Sequence, residues 1–374
     1  MFRRIWDLFR GDSHIKVCIL ILMVMSAIFV FSSTSPLSYK TAHDTSNMLF
    51  SHLSKMLLSC GVLYVFSRIP ANVFIKFVNI LYVVSVLMLA LVYVIGQETN
   101  GASRWLQLGP LTIQPSEFAK IILIVYMAKG LSASDKNYLR LFIASALVIG
   151  MIFVENGSTG FLLFVSAAFM VVISDCPIKI KPLLIAIVSI SLIAVFLVKF
   201  DLLPRLDTWI GRFVRFFSGE GDIQADYAQV AVASGGFFGV GPGQGDMKNF
   251  LPVSFADYIF AIILEEGGLL SMVFVIGPYF WMFKRIRDYA FLCKMKFEAY
   301  VLMGLGFMYT FQAVFHMWIN VGMGPVTGQT LPLVSWGGTS GVFVCMAYGI
   351  ILSITHDVKQ TMKIDLDNNK TKIK

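Results

Sequence analysis

Ten runs of apolar residues, each near the ~20 residues that carry a helix across the hydrocarbon core of a bilayer, divide this chain from end to end. They lie near 16–34, 49–67, 73–96, 114–131, 139–155, 159–175, 181–200, 257–283, 298–318 and 338–355. Composition agrees: 57% of residues are hydrophobic and 14% charged, with a mean hydropathy of +0.76, whereas soluble domains carry roughly a quarter charged residues. The expected fold class is an all-α integral membrane protein of about ten transmembrane helices. A long extracytoplasmic loop, 201–256, separates the seventh and eighth.

A net charge of +8 suggests nucleic acid until its placement is read. With the N-terminus in the cytoplasm and the helices alternating, cytoplasmic segments collect 21 of the 30 Lys and Arg, and outer segments hold seven (Lys40, Arg104, Lys199, Arg205, Arg212, Arg215 and Lys248). That bias is the positive-inside rule, so the basic excess reports topology and no nucleic-acid partner is expected. Both termini are then cytoplasmic, in a multi-pass protein of the cytoplasmic membrane. Residues 1–15 and 357–374 read as tails, the second disordered and solvated from Lys359 to Lys374, around a single membrane domain at 16–356. The first run lacks an A-x-A site and reads as a retained helix. None of the five cysteines is placed for an extracytoplasmic disulfide, and none stands in a CxxC pair.

Polar residues then narrow the chemistry. Lys55, Glu117, Lys120, Glu265 and Glu266 fall inside apolar runs. A charge at mid-membrane costs roughly 2.5–3.5 kcal/mol on insertion scales, so each should face protein or a wet cavity. Lys120 can pair with Glu117, three residues away on one helix face, or with a glutamate of the 257–283 run. Asp257 stands where the long loop enters that run. Alone, it is better explained as a helix N-cap. Its company argues otherwise: the Gly-rich stretch Ser234 to Lys248 precedes it, and such loops let backbone N–H groups and a lysine approach an anion. The segment 97–113 reads as a loop, 224–234 as a short interfacial helix. Gly324 to Ser340, rich in Gly and Pro, reads as a re-entrant loop in which Ser335, Thr339 and Ser340 can donate hydrogen bonds.

These segments together resemble the SEDS family (shape, elongation, division and sporulation). Asn100-Gly-Ala-Ser-Arg104-Trp and Gln114-Pro-Ser-Glu117-Phe-Ala-Lys120 look like its NGxxRW and QPSExxK motifs. Arg205 and Gln224 resemble its arginine and glutamine in the large outer loop. Ser234-Gly-Gly through Lys248 and Leu-Pro to Asp257-Tyr-Ile-Phe-Ala resemble SGGxxGxGxGxxxxK and LPExHTDFIFA, and Pro325 through Ser340 resembles PxxGxxLPxxSxGGSS. The likeness spans about residues 70–355.

The resemblance implies a peptidoglycan glycosyltransferase that polymerises lipid II at the outer membrane face, working with a class B penicillin-binding protein and other divisome proteins. It implies Asp257 as the catalytic carboxylate and Arg104, Glu117, Lys120, Arg205, Gln224, Lys248 and Ser335 as substrate-binding residues. A carboxylate can take the proton of an attacking sugar hydroxyl. Arg104, Lys120, Arg205 and Lys248 are the candidate cations for the departing pyrophosphate, with room for a divalent cation, Mg2+ or Mn2+, as helper. Departures concentrate the acid–base work on Asp257: LPExHTD reads LPVSFAD, with Val253, Phe255 and Ala256 replacing Glu, His and Thr. Asn156 replaces an aspartate, His316 an asparagine and Tyr227 a glutamine. An elongation-type polymerase, a lipid II flippase and a divisome scaffold remain as alternative readings.

Overall fold

The computed structural model describes residues 9–41, 45–99, 102–108, 111–133, 137–175, 206–218, 222–251, 253–336 and 339–372. Nine of the ten apolar runs are helices among them: α1 (Ser13–Thr41), α2 (Thr45–Phe66), α3 (Ala71–Ile95), α4 (Pro115–Ser132), α5 (Tyr138–Glu155), α6 (Gly157–Ile173), α9 (Ile259–Leu292), α10 (Lys296–Asn320) and α11 (Ser340–Lys372). The run at 181–200 lies outside the described residues. All but α4 and the shorter α6 are long and apolar enough to cross a membrane.

Burial sorts these helices. In α4 thirteen of eighteen positions are buried, on every face, Glu117 and Lys120 among them, so the helix sits at the centre of the bundle. It packs against α3 on one side and α10 on another. By contrast, α3 buries only a stripe, Ala71, Phe74, Val78, Ser85, Leu89 and Val92, and leaves Ile80, Leu87 and Val94 exposed, the pattern of a helix bathed in lipid. The pairs α1 with α9, α2 with α11, and α9 with α10 complete the core.

Four expectations change. First, 97–113 forms a three-stranded antiparallel sheet, β1 (Gln97–Thr99), β2 (Ala102–Leu108) and β3 (Leu111–Ile113), in the order β1-β2-β3. Along β2, Leu106 is buried and the next residue, Gln107, is exposed, the alternation of a strand with one covered face. Second, the C-terminal tail is helical to Lys372, steadied where Lys294 meets Asp365 at 2.6 Å and Lys359 meets Asp12 at 3.4 Å. Third, the N-terminal boundary lies inside the core: Asp12 is 2% exposed and its Oδ1 accepts from the His14 and Ile15 amides, capping α1. Its Oδ2 accepts from Arg285 at 2.8 Å and Tyr289 at 2.9 Å. Fourth, the loop before α9 carries two helices, α7 (Leu206–Ser218) and α8 (Ile223–Ser234), of which only the second was expected.

Candidate active site

Asp257 is half-buried at the mouth of α9, and its carboxylate does not cap that helix. The N-cap position is Tyr258, with no side-chain cap bond of its own. The capping acceptor comes instead from α10. Asn320 Oδ1 accepts from the Ala261 amide at 3.1 Å, while its Nδ2 donates to the Asp257 carbonyl at 3.0 Å and to the His316 carbonyl at 3.0 Å. Asn320 is 1% exposed. A buried carboxamide thus does the capping that would explain Asp257 taken alone, and the aspartate side chain lines a small groove.

That groove, about 10 Å³ in volume, is lined by Asp257, Tyr258, His316 and Asn320 on one side and by Val326 to Gln329 of the re-entrant loop on the other. Its volume is that of one water site. Gly328 adopts φ +48°, and a Cβ built there lies 3.4 Å from Asp257 Oδ2; glycine supplies both the left-handed backbone and the open wall. Gln329 anchors the loop to α6 through Nε2 donations to Thr159 Oγ1 at 2.8 Å and Ser158 Oγ at 2.9 Å. Its carbonyl accepts from His316 Nδ1 at 2.7 Å, which places a proton on that nitrogen. Arg212 on α7 donates to the Val326 carbonyl at 3.1 Å. Burial and the Asp222 and Asp257 carboxylates push the Tyr258 phenol up, against an opposing pull from Arg212. The guanidinium therefore acts within electrostatic reach of the groove.

The re-entrant loop also fixes the segment before Asp257. Ser335 Oγ donates to the Ala256 carbonyl at 2.7 Å, and the Trp336 amide to the Phe255 carbonyl at 2.9 Å. The Leu331 amide in turn donates to Ser335 Oγ at 2.8 Å. Leu333 is held at φ +65°, a left-handed conformation that costs a residue with a Cβ of order 1–3 kcal/mol and persists only where neighbours over-determine it. Those neighbours are present: Ser26 Oγ donates to the Val334 carbonyl at 2.7 Å, and the Tyr279 hydroxyl donates to the Pro332 carbonyl.

The expected cations are placed unequally. Lys120 is fully buried and pairs with Glu117 at 2.8 Å. It also donates to Gln312 Oε1 at 3.5 Å, and Gln312 Nε2 donates to the Thr330 carbonyl, next to groove residue Gln329. The pair therefore reaches the groove wall through one side chain. Lys248 is elsewhere: its ammonium donates to Glu266 Oε1 at 3.0 Å, Ser32 Oγ at 3.1 Å and the Gly243 carbonyl at 2.7 Å. All three N–H groups are committed to protein. Ser335 spends its hydroxyl proton on Ala256. Gln224 lies in the first turn of α8, its amide donating to Asp222 Oδ1 at 3.1 Å. Arg104 lies on β2, and Arg205 lies outside the described residues.

The Gly-rich stretch does cradle an anion, but the anions are Glu265 and Glu266. The Asp246 and Met247 amides donate to Glu265 Oε1 at 2.8 and 3.1 Å, and the Gly243 amide to Glu266 Oε2 at 3.0 Å. The same stretch is inserted into the backbone ladder of α9, which breaks at Gly268, φ +63°. The 265 and 266 carbonyls accept from Val240 and Gly241, and the 269 and 270 amides donate to Gly236 and Phe237. These four backbone bonds replace helical ones lost at the kink. At Gly239, φ +79°, a Cβ would lie 2.2 Å from the Glu266 carbonyl oxygen.

Sequence reading missed Asn320, Gln329 and Arg212. Asn320 carried a usable signal, as an uncharged polar residue at the end of an apolar run beside the re-entrant loop. Arg212 carried none beyond its charge.

Comparison with known proteins agrees with this architecture. A family model described as a cell cycle protein, FtsW/RodA/SpoVE, matches residues 12–360. A probable peptidoglycan glycosyltransferase FtsW of Trichlorobacter lovleyi is 31% identical over 96% of this chain and 97% of its own. That of Coxiella burnetii is 28% identical over 93% and 97%. Among solved structures, a chain of a peptidoglycan synthase complex superposes with a TM-score of 0.73 at 24% identity, covering 94% of this chain and 99% of that one. The rod shape determining protein RodA of Thermus thermophilus gives 0.68 at 23%, over 93% and 97%. With nearly its whole length matched, this chain belongs to the FtsW/RodA/SpoVE family of cell cycle proteins.

Proposed function

We propose that this protein is a peptidoglycan glycosyltransferase of the division type, which polymerises lipid II at the outer face of the cytoplasmic membrane with Asp257 as general base. The observation that carries the reading is the state of Asp257. Its helix is capped by Asn320, its backbone is clamped by Ser335 and Asn320, and its side chain lines a groove of water size. A carboxylate relieved of capping and held beside a space for a reacting group is suited to proton abstraction. Division rather than elongation is favoured by relatives named FtsW along nearly the whole chain. The 21-to-7 distribution of Lys and Arg supports cytoplasmic termini.

In the proposed step a sugar hydroxyl of one strand attacks the anomeric carbon of another. The new C–O bond forms as the bond from that carbon to the pyrophosphate oxygen breaks. The hydroxyl proton passes to Asp257, and the electron pair leaves with undecaprenyl pyrophosphate. Lys120, Arg104, Arg205 and Arg212 are the cations for the leaving group, Lys120 acting from behind the groove wall. Lys248 is assigned to holding α9, because its donors are spent there. Among the described residues no group of three or more His, Cys, Asp or Glu stands together. A divalent cation at Asp257 would therefore take most of its ligands from substrate phosphates and water. The crosslinking partner in this reading is a class B penicillin-binding protein.

The experiment pits polymerase against flippase. Purified protein with its transpeptidase partner, given labelled lipid II in vesicles, should yield glycan polymer. Lipid II crossing the bilayer without polymer would instead establish the transporter reading.

A further inference from the structure

A second cavity, about 40 Å³, lies between α1, α2 and α11, behind the re-entrant loop. Its one cation is Lys55, a full turn and more inside α2, and among the described residues no ion pair includes it. The ammonium sits 5.3 Å from the centroid of the Trp336 ring. A cation–π contact offsets part of the cost of a half-buried charge, but it leaves N–H donors without oxygen acceptors.

The hydroxyls in the wall cannot receive an incoming acceptor group. Ser26, Ser59 and Ser335 each donate to a backbone carbonyl, those of Val334, Lys55 and Ala256. Since the Ser26 proton is spent, the 3.1 Å contact with His52 Nε2 has the imidazole as donor. The charged donor of the cavity is therefore Lys55, which calls for an anion. Met23, Met56 and Leu333 make the remaining wall apolar, so the anion should arrive on an apolar body. The volume exceeds that of one water site. It admits the oxygens of a phosphate while the rest of the molecule stays in lipid.

We propose that the Lys55 cavity is an anion subsite that takes the phosphate or pyrophosphate group of a lipid-linked ligand. Its position gives it a use. Ser335 and Trp336 form its wall and also bond the Ala256 and Phe255 carbonyls, so an occupant sits one layer behind Asp257. Polymerisation joins two molecules that each carry a prenyl pyrophosphate, and only one loses it. The other needs a cation of its own, and Lys55 supplies one. That use rests on the reading of Asp257 given above, whereas the binding does not.

The test reads binding at the cavity. Full-length protein in neutral detergent is labelled with 5-fluorotryptophan, and the Trp336 fluorine line is assigned with Trp336→Phe. Farnesyl pyrophosphate should shift that line saturably in the wild type and in Lys55→Arg. In Lys55→Met the apparent affinity should fall about tenfold or more, the worth of one charge-assisted hydrogen bond. Phosphatidylglycerol is titrated in parallel. A shift from it alone, lost in Lys55→Met, supports the subsite and names the bilayer as its source, whereas a preference for farnesyl pyrophosphate names the substrate. No shift with either lipid, equal shifts in Lys55→Met, or full occupancy by inorganic pyrophosphate alone would overturn the proposal. Because the titration reads no turnover, failure of the general-base assignment leaves its outcome untouched.

Discussion

Asn320 bridges the first turn of α9, with Nδ2 3.0 Å from the Asp257 carbonyl and Oδ1 3.1 Å from the Ala261 amide. The side chain that caps the helix belongs to a residue 63 positions from Asp257 in the chain. Asn320→Ala leaves a buried amide and carbonyl unbonded, at about 1–3 kcal/mol of stability. Misplacing the carboxylate by even 1 Å can cost on the order of 100-fold in rate. Turnover at saturating lipid II should therefore fall at least about tenfold while KM changes less. Thermal unfolding in detergent and initial rates of polymer formation check the two effects separately.

The Lys248–Glu266 clasp gives a second prediction. Both side chains are nearly inaccessible, at 6% and 0%, and removing one partner of a buried ion pair typically costs about 3–5 kcal/mol. Lys248→Met and Glu266→Leu should each destabilise severely, and the double variant by clearly less than their sum. Unfolding midpoints of the four proteins close the cycle. A Lys248→Met protein of wild-type stability with impaired turnover would place that lysine on substrate.

Two glycines of the same stretch separate crowding from backbone strain. Gly239→Ala drives a methyl to 2.2 Å from the Glu266 carbonyl oxygen, whereas Gly243→Ala, φ +83°, meets nothing within 4 Å. The second change should cost only about 1–2 kcal/mol, the ordinary penalty of a left-handed residue. The first should abolish folded protein. Yield of monodisperse material on size exclusion distinguishes them.

Asp12 sets a pH dependence. Burial alone would raise its pKa, but hydrogen bonds from Arg285 and Tyr289 hold the carboxyl well below the usual range. A depressed folded pKa means the clasp contributes fully above the ordinary carboxylate pKa of about 3.9 and is lost only as pH falls from there toward the folded value. Replacing Asp12 with Asn should thus lower the unfolding temperature at pH 7 and at pH 5 alike. The gap between variant and wild type should narrow only in strongly acidic buffer.

The bundle was legible because span length and charge bias report on single segments: nine of the runs are helices where the structure describes them. What escaped were relationships between segments. An N–H-rich glycine loop looks the same whether its anion is a phosphate or an internal glutamate, and only the α9 kink at Gly268 shows that it serves Glu265 and Glu266. Asp257 matched the local pattern of a cap, yet the cap came from α10. The charged tail read as solvated coil because Asp365 carries no sequence sign that Lys294 awaits it. Motif order, by contrast, placed Glu117, Lys120 and Asp257 in one family, and the whole-length match agrees.

The central claim is that Asp257 takes the acceptor proton, and the direct measurement is the initial rate of lipid II polymerisation by the Asp257→Asn protein with its transpeptidase partner. Asparagine keeps the shape of the side chain and the backbone bond to Asn320, so the protein should fold and keep its melting temperature. Loss of a positioned general base typically costs about 100- to 10,000-fold, and the account predicts a fall in that range. Polymer formed at the wild-type rate would contradict it.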